Sequence, residues 1–257
     1  MHARGASRRL SVHASLKKLS PEQRPASQTA IGVALLRAIH EAYDDSPKLL
    51  RDPVAALLVG YEMMQRAEAA PEWMQSALTV AIRSHVVLRS RYAEDRLCEA
   101  VLQGVRQYVI LGAGYDTFAY RQPAWAASLW IFEVDHVASQ HAKVERLRSV
   151  GISIPPNLTF VPADFESATL RETLMNGGVD AETPAFFACL GVMVYLPKET
   201  GEAIFRAVAS FPKGSQMVFT FSQGESSAVF PPWRKRPRLS ENPSARTTTL
   251  MPFITNY

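Results

Sequence analysis

Cysteine is scarce in this 257-residue sequence, and it has no long apolar segment. The two cysteines, Cys98 and Cys189, each stand alone in apolar surroundings, which argues against a disulfide framework and favours a reducing compartment. No apolar run approaches the roughly 20 residues that a membrane-spanning helix needs, so we expect a cytoplasmic protein with no membrane partner. The six histidines are scattered and show no zinc-ligand spacing, so no metal site is expected.

Acidic residues are missing from the first twenty positions. The formal net charge of the whole chain is +4. Much of the basic excess lies there and between Arg234 and Arg238, which indicates solvated ends of the chain rather than a nucleic-acid surface. The start is compatible with a transit peptide, but it has no apolar segment of the kind that directs secretion. We predict a flexible N-terminus over residues 1–25 and no nucleic-acid partner.

Helical patterns dominate residues 26–103, which we call the helical lead. Asp52 and Pro53 are typical of an N-cap followed by the first residue of a helix. Because this lead precedes the first strand, we expect it to cover a ligand cleft.

A long helical region is predicted over 72–103, where few helix breakers occur. Leu78, Ile82 and Val86 lie on one face of it at helical spacing. We expect this region to break near Arg91.

Strands and helices alternate from residue 104 onward. Apolar strand candidates are residues 107–111, 129–134, 158–162, 185–190 and 216–221, and helical patterns fall at 137–149, 166–175 and 197–210. Such alternation is typical of right-handed βαβ units. The sequence therefore predicts an α/β fold with a doubly wound, mostly parallel sheet over residues 104–222.

The first strand candidate runs into a glycine turn. Tyr108 to Leu111 form a continuous apolar run, as expected of a strand buried on both faces of a parallel sheet. It ends in Gly112-Ala113-Gly114, where missing side chains let the backbone turn sharply and approach a ligand. A dinucleotide fingerprint would also have glycine at position 117, where this chain has Thr117. This counts against NAD and favours an adenosyl group without a pyrophosphate.

Two acids end the second strand candidate, Glu133 and Asp135, and they point the same way by the period of a strand. Asp135 lies 23 positions beyond Gly112, about where such folds carry the acid that accepts hydrogen bonds from ribose hydroxyls. The alternatives are a solvent-facing strand end and an N-cap of the next helix.

The third strand candidate runs into Asp164 and Phe165. A carboxylate there can accept a hydrogen bond from an adenine amino group, and the ring of Phe165 can shield the base. Here too, the alternative is an N-cap of the following helix.

Several short motifs appear in a fixed order from residue 27 to residue 222. They are Ser27-Gln28-Thr29-Ala30 with Arg37-Ala38; Asp52-Pro53-Val54-Ala55; Arg89-Ser90-Arg91-Tyr92 with Asp95; Leu111-Gly112-Ala113-Gly114-Tyr115-Asp116-Thr117 with Tyr120-Arg121; Phe132-Glu133-Val134-Asp135; Asp164-Phe165; and Leu190-Gly191-Val192 with Tyr195-Leu196. The ordered set resembles the leucine carboxyl methyltransferase-like family of S-adenosylmethionine-dependent O-methyltransferases, in particular its bacterial members.

This resemblance implies a Rossmann-like methyltransferase domain over residues 26–222 with S-adenosyl-L-methionine as its cofactor. Gly112 and Gly114 would then cradle the methionine part, and Asp135 would hold the ribose. Asp164 and Phe165 would frame the adenine.

The resemblance also implies roles for residues near the cofactor. Arg91 of the helical lead would pair with the cofactor carboxylate, for which a guanidinium fork is well suited; the alternative is a surface arginine. Glu133 would support the site from behind, and Asp116 would orient the loop. Cys189 is expected in the core.

The acceptor is predicted to be a small molecule with a carboxylate or hydroxyl. A carboxylate is ionised at neutral pH and needs no base, so no catalytic residue is assigned. His85 and Tyr195 are either cleft or packing residues.

The 35 residues after Ser222 include five prolines and a basic cluster, which predicts a disordered tail over 223–257 without the strand pair expected of the family. This leaves two alternatives to an active methyltransferase. One is a non-catalytic descendant that keeps cofactor or partner binding. The other is an NAD-type oxidoreductase, which Thr117 disfavours.

Overall fold

A five-stranded parallel sheet forms the centre of the protein. A computed structural model describes residues 28–166, 169–225 and 246–248. The strands are β1 (Gln107–Leu111), β2 (Trp130–Asp135), β3 (Leu158–Pro162), β4 (Ala185–Cys189) and β5 (Gln216–Phe219), in the spatial order β3-β2-β1-β4-β5. All neighbouring pairs in this sheet are parallel, which confirms the predicted doubly wound α/β fold. The strand order reverses between β1 and β4, and ligands of such sheets bind at that point, beyond the carboxyl ends.

Helices cover both faces of the sheet. The helices are α1 (Gln28–Tyr43), α2 (Pro53–Val59), α3 (Tyr61–Glu68), α4 (Pro71–Met74), α5 (Ala77–Leu102), α6 (Val137–Ser149), α7 (Leu170–Asn176) and α8 (Lys198–Ala209). Tyr108 and Ile110 of β1 pack in the cluster that contains Leu97 of α5, whereas Val109 packs in the cluster that contains Ile204 of α8. Alternate side chains of one buried strand thus meet helices on opposite faces.

The helical lead differs from the prediction at one point. The expected break near Arg91 is wrong, because α5 continues without interruption from Ala77 to Leu102. Its sequence has no glycine or proline, and Ser76 caps its start by accepting a hydrogen bond from the backbone N–H of Thr79 at 3.2 Å. The predicted cap of α2 is confirmed: Oδ1 of Asp52 accepts from the N–H of Ala55 at 3.0 Å.

Two short strands follow the main sheet. β6 (Ser222–Glu225) and β7 (Arg246–Thr248) pair antiparallel, whereas the sequence predicted no strand pair in this segment. The reason is position, because all five prolines fall outside the two strands, whose single ladder has one register shift, between Gln223 and Glu225. The rest of the predicted disordered tail and the predicted flexible N-terminus, residues 1–25, lie outside the described residues.

Among the helices of the described ranges, none combines the length and the apolar character that crossing a membrane requires.

Candidate functional site

The glycine loop lies at the reversal point of the sheet. Gly112 and Gly114 have positive φ angles of 67° and 48°, a conformation that residues with side chains adopt rarely. A Cβ on Gly112 would overlap the side chain of Val192, and one on Gly114 would lie 3.0 Å from the Cβ of Ala30. Both positions therefore require glycine, and α1 and the segment after β4 pack directly on the loop.

Asp135 reaches the glycine loop from the end of β2. Its Oδ2 accepts a hydrogen bond from the N–H of Gly114 at 2.5 Å, and its Oδ1 accepts from the N–H of His136 at 2.6 Å. The N-cap of α6 is His136, whose Nδ1 accepts from the N–H of Ala138 at 3.2 Å. The structure thus rules out the N-cap alternative for Asp135 and brings this acid to the loop.

Asp164 and Phe165 follow β3 at the same edge of the sheet. Pro162 is paired with Asp135 across the β2–β3 ladder, so the two residues lie just beyond that pair. Oδ1 of Asp164 accepts from the N–H of Glu166 at 3.1 Å, and α7 starts only at Leu170. Asp164 is therefore not the N-cap of α7 either.

Arg91 does not face this edge. Its side chain is 50% exposed, and Nη2 lies 2.8 Å from Oδ1 of Asp95 one turn along α5. Because α5 is continuous, the side chains of Arg91 and of Arg89, two positions earlier, point about 200° apart around the helix axis. This position fits the alternative, a surface arginine, and cofactor binding by Arg91 stays a prediction.

Arg89, two positions before Arg91 on α5, reaches the segment that follows β4. Its Nη1 lies 2.5 Å from the position of a Cβ on Gly191, which directly follows Leu190 beyond β4. Its Nε is enclosed and has no hydrogen-bond partner among the described residues. Burial, and then the charge of Arg37, lower the pKa of Arg89 to about 10, and Tyr195 and Asp116 act in the opposite direction. An incompletely paired guanidinium thus lies at the reversal point of the sheet.

Thr117 explains the missing third glycine of the fingerprint. Its side chain is fully buried, and its hydroxyl donates to Oδ2 of Asp52 at 2.7 Å. Arg37 donates from Nε to the same Oδ2 at 2.7 Å. Asp116, the predicted loop-orienting residue, accepts from the N–H of Phe118 at 2.8 Å through Oδ1.

Glu133 lies behind the loop in the core. Its Oε2 accepts from Nζ of Lys143 at 2.6 Å, and both side chains are 1% exposed. Nζ also lies 5.2 Å from the ring centroid of Tyr120, at cation–π distance. Burial raises the pKa of Glu133 to about 7, although the charge of Lys143 acts to lower it.

Three further predicted residues have clear positions. His85 lies one turn before Arg89 on the same side of α5, and burial followed by the charge of Arg89 lowers its pKa to about 4. Tyr195 is 48% exposed, and its charge partly offsets the lowering of the Arg89 pKa. Cys189 is fully buried, and burial raises its pKa to about 12, which fits the predicted core role.

The residues at this edge fit the predicted cofactor. The positive φ angles of Gly112 and Gly114 turn the backbone sharply at this edge, Asp135 offers an acceptor beside the turn, and Arg89 offers an enclosed donor without a partner among the described residues. An adenosyl group with an amino acid end needs these three features.

Comparison with known proteins identifies the family of the chain. The leucine carboxyl methyltransferase family matches residues 30–209. YktD of Bacillus subtilis, named as an S-adenosyl-L-methionine-dependent methyltransferase, is 32% identical over 217 residues, covering 76% of this chain and 71% of that protein. A protein of the same designation from Frankia alni is 32% identical over 206 residues, covering 75% of this chain and 67% of that protein.

A methyltransferase of known structure from Thermobifida fusca is 15% identical, with a TM-score of 0.48, covering 82% of this chain and 71% of that chain. The family match includes every residue of the glycine loop and of the three strand ends that meet there. The chain therefore belongs to the leucine carboxyl methyltransferase family, enzymes that use S-adenosyl-L-methionine as their cofactor.

Proposed function

We propose that this enzyme transfers a methyl group to an oxygen atom, a carboxylate or a hydroxyl, of a small-molecule acceptor. The family description names a carboxyl group as the acceptor, and this supports oxygen over nitrogen or carbon. The family match over residues 30–209 carries this choice of acceptor. The enclosed guanidinium of Arg89 supports the cofactor part of the proposal, because it gives the cleft a positive charge that can pair with the cofactor carboxylate. A site of positive potential attracts anionic groups such as carboxylates.

In this proposal each end of the cofactor has a binding residue. The turn at Gly112 and Gly114 holds its methionine part, and Arg89 pairs with its carboxylate through a planar fork. Asp135 accepts hydrogen bonds from the ribose hydroxyls.

The adenine end is held by the residues after β3. Asp164 accepts a hydrogen bond from the adenine amino group. Phe165 packs against the apolar cluster that contains Val134 and Val161, and its ring shields the base. This end of the site is thus anchored on the core of the sheet.

The protein contributes to the reaction by positioning the cofactor and the acceptor and by excluding water from them. Bound S-adenosylmethionine supplies a methyl group that its sulfonium charge has already activated. Ala30 of α1 packs on Gly114 and Arg89 of α5 packs on Gly191, so the helical lead covers this edge and keeps water from the reacting atoms. A carboxylate acceptor reacts without a base. For a hydroxyl acceptor no base is assigned, because the pKa of His85 near 4 makes its imidazole a weak proton acceptor.

Isotope-labelled methyl transfer tests this proposal. The enzyme is incubated with S-adenosylmethionine carrying a 13C-methyl group and a panel of small carboxylic acids, phenols, alcohols and amines. We expect a methyl ester or ether, identified by the 13C shift of the product. Esters and ethers are then separated by base treatment, which releases methanol only from esters. A label found on nitrogen, sulfur or carbon, with no oxygen product, would contradict the proposal.

A further inference from the structure

A buried cluster of polar side chains joins the helical lead to the segment after the glycine loop. Asp52 is at its centre and is 1% exposed. Its Oδ2 accepts hydrogen bonds from Nε of Arg37 and Oγ1 of Thr117, each at 2.7 Å. Its Oδ1 accepts from the N–H of Ala55 at 3.0 Å and thereby caps α2. One buried carboxylate therefore ties α1, α2 and the loop segment together.

The backbone of the glycine loop is held from both sides. The N–H of Gly114 donates to Oδ2 of Asp135 at 2.5 Å. The carbonyl of the next residue, Tyr115, accepts from Nη2 of Arg37 at 2.6 Å. Two residues further, the hydroxyl of Thr117 is bonded within the cluster. Side chains from other elements thus fix the direction of the peptide groups around residue 114.

Thr117 extends the cluster to a third helix. Its Oγ1 accepts from Nε of Arg121 at 3.1 Å, and Arg121 donates two further hydrogen bonds to the carboxylate of Glu94 on α5. A glycine at position 117, as in the dinucleotide fingerprint, would have no hydroxyl to make these contacts. The side chain at this position therefore connects the segment after the glycine loop to Asp52 before α2 and, through Arg121, to Glu94 of α5.

The charge of Asp52 also affects the cleft. Burial acts to raise the pKa of Asp52, but the charges of Arg37 and Arg121 and the Thr117 hydrogen bond outweigh it, so the pKa lies below its usual range. Arg37 is in turn the charge that lowers the pKa of Arg89. Without the carboxylate, Arg37 would lose its ion pair and repel Arg89 more strongly.

We propose that Asp52 and Thr117 are positioning residues for methyl transfer, which hold the glycine loop in the orientation that receives the cofactor. They act through Arg37 and through the backbone of the loop, and neither is assigned a contact with the cofactor. A buried polar cluster whose members satisfy one another rigidifies the elements that it joins, because each unpaired member would pay its desolvation cost. This inference rests on the proposed cofactor contacts of the glycine loop and Arg89.

Substitutions at Thr117 test it with a matched pair of variants. Thr117→Val keeps the shape and removes the hydroxyl, whereas Thr117→Ser keeps the hydroxyl. The affinity for S-adenosylhomocysteine is measured by calorimetry well below the melting temperature. We expect about tenfold weaker binding for the valine variant and near wild-type binding for the serine variant.

Thr79→Val is the control for a merely structural effect. Thr79 is also buried, and its hydroxyl oxygen accepts from Ser76 Oγ at 3.0 Å, but it lies at the start of α5, about 15 Å along the helix from Arg89. This variant is expected to lose stability and keep its affinity. If Thr117→Val does not fold, Asp52→Asn, which keeps the capping oxygen, takes its place. Its affinity for S-adenosylhomocysteine is then compared with that of Thr79→Val.

The outcomes separate the two proposals. If the wild-type protein binds S-adenosylhomocysteine and Thr117→Val binds it equally well with a lower melting temperature, the positioning role is wrong. If binding falls to the same extent in Thr79→Val, the role is only structural, and the inference is also wrong. If the wild-type protein itself does not bind S-adenosylhomocysteine, the proposed function fails first.

Discussion

Nη1 of Arg89 lies 2.5 Å from the point where a Cβ would stand on Gly191. Gly191 has a positive φ of 73° and follows β4 at the reversal point of the sheet. The guanidinium of the helical lead can occupy this place only because the residue facing it has no side chain. The contact therefore joins α5 of the helical lead to the segment that follows β4.

Gly191→Ala is expected to displace Arg89 and to weaken the binding of S-adenosylhomocysteine about tenfold or more, the cost of a lost charge-assisted hydrogen bond. Gly151→Ala is the matched control, since Gly151 has the same φ of 73° and no atom within 4 Å of its Cβ position. Both variants carry the backbone strain, but only the first moves Arg89. Calorimetric titration of both measures the difference, and equal affinities would show that the contact has no role in binding.

Asp135→Ala should weaken the same binding about tenfold or more, because the ribose hydroxyls lose an ionised acceptor and the N–H of Gly114 loses its partner. Asp180→Ala provides the comparison. Asp180 also accepts a backbone hydrogen bond, from Glu182 at 2.9 Å, but it contacts Gln107 at the opposite, amino-terminal edge of the sheet. Unchanged affinity in a folded Asp135→Ala protein would remove this acid from the site.

The fold was predictable because its signals are local. Each strand of the main sheet is a short apolar run, and each run falls within two residues of its predicted bounds. The cap at Asp52 and the proline after it define the start of α2 in the same way. Such features depend on neighbours in sequence, and the packed structure leaves them in place.

The choice between Arg89 and Arg91 needed the phase of a helix. The apolar face of α5 that includes Val86 continues at Arg89 and Ala93, at spacings of three and four residues, whereas Arg91 falls on the opposite side. The signal was therefore present in the sequence. A helix break near Arg91, as expected from the sequence, would have changed the direction in which Arg91 points relative to Val86. The continuous helix keeps the two on different sides.

The cluster around Asp52 could not be predicted from local patterns. Asp52 and Thr117 are 65 positions apart, and nothing near either residue specifies the other. Their contact arises only when α2 packs beside the glycine loop. Long-range polar contacts of this kind depend on the packed structure, and this is why the motif pieces were recognised but their partners were not.

The buried Glu133 should make stability depend on pH. Its pKa is about 7 in the folded protein against an ordinary 4.5, so between these values the folded state binds more protons than the unfolded state. The free energy of unfolding should therefore fall as pH rises from about 5 to 7.5, on the order of 2 kcal/mol from this group.

The double variant Glu133→Gln with Lys143→Met provides the reference, because it removes both members of the buried pair. Urea unfolding of both proteins at pH 5 and pH 7.5 measures the change in their difference. A difference that stays constant over this range would show that Glu133 ionises in the folded protein as it does in the unfolded chain.

In the proposed site Arg89, and not Arg91, pairs with the carboxylate of the cofactor. Calorimetric titration with S-adenosylhomocysteine, which carries the same carboxylate, compares Arg89→Ala with Arg91→Ala, two variants of one helix that each lose one guanidinium. We predict about tenfold or more weaker binding for Arg89→Ala and nearly as large a loss for Arg89→Lys, because an ammonium cannot form the planar fork. Arg91→Ala, which removes only an exposed ion pair, should bind like the wild type. Normal affinity in Arg89→Ala together with a loss in Arg91→Ala would show that Arg91, and not Arg89, pairs with the carboxylate.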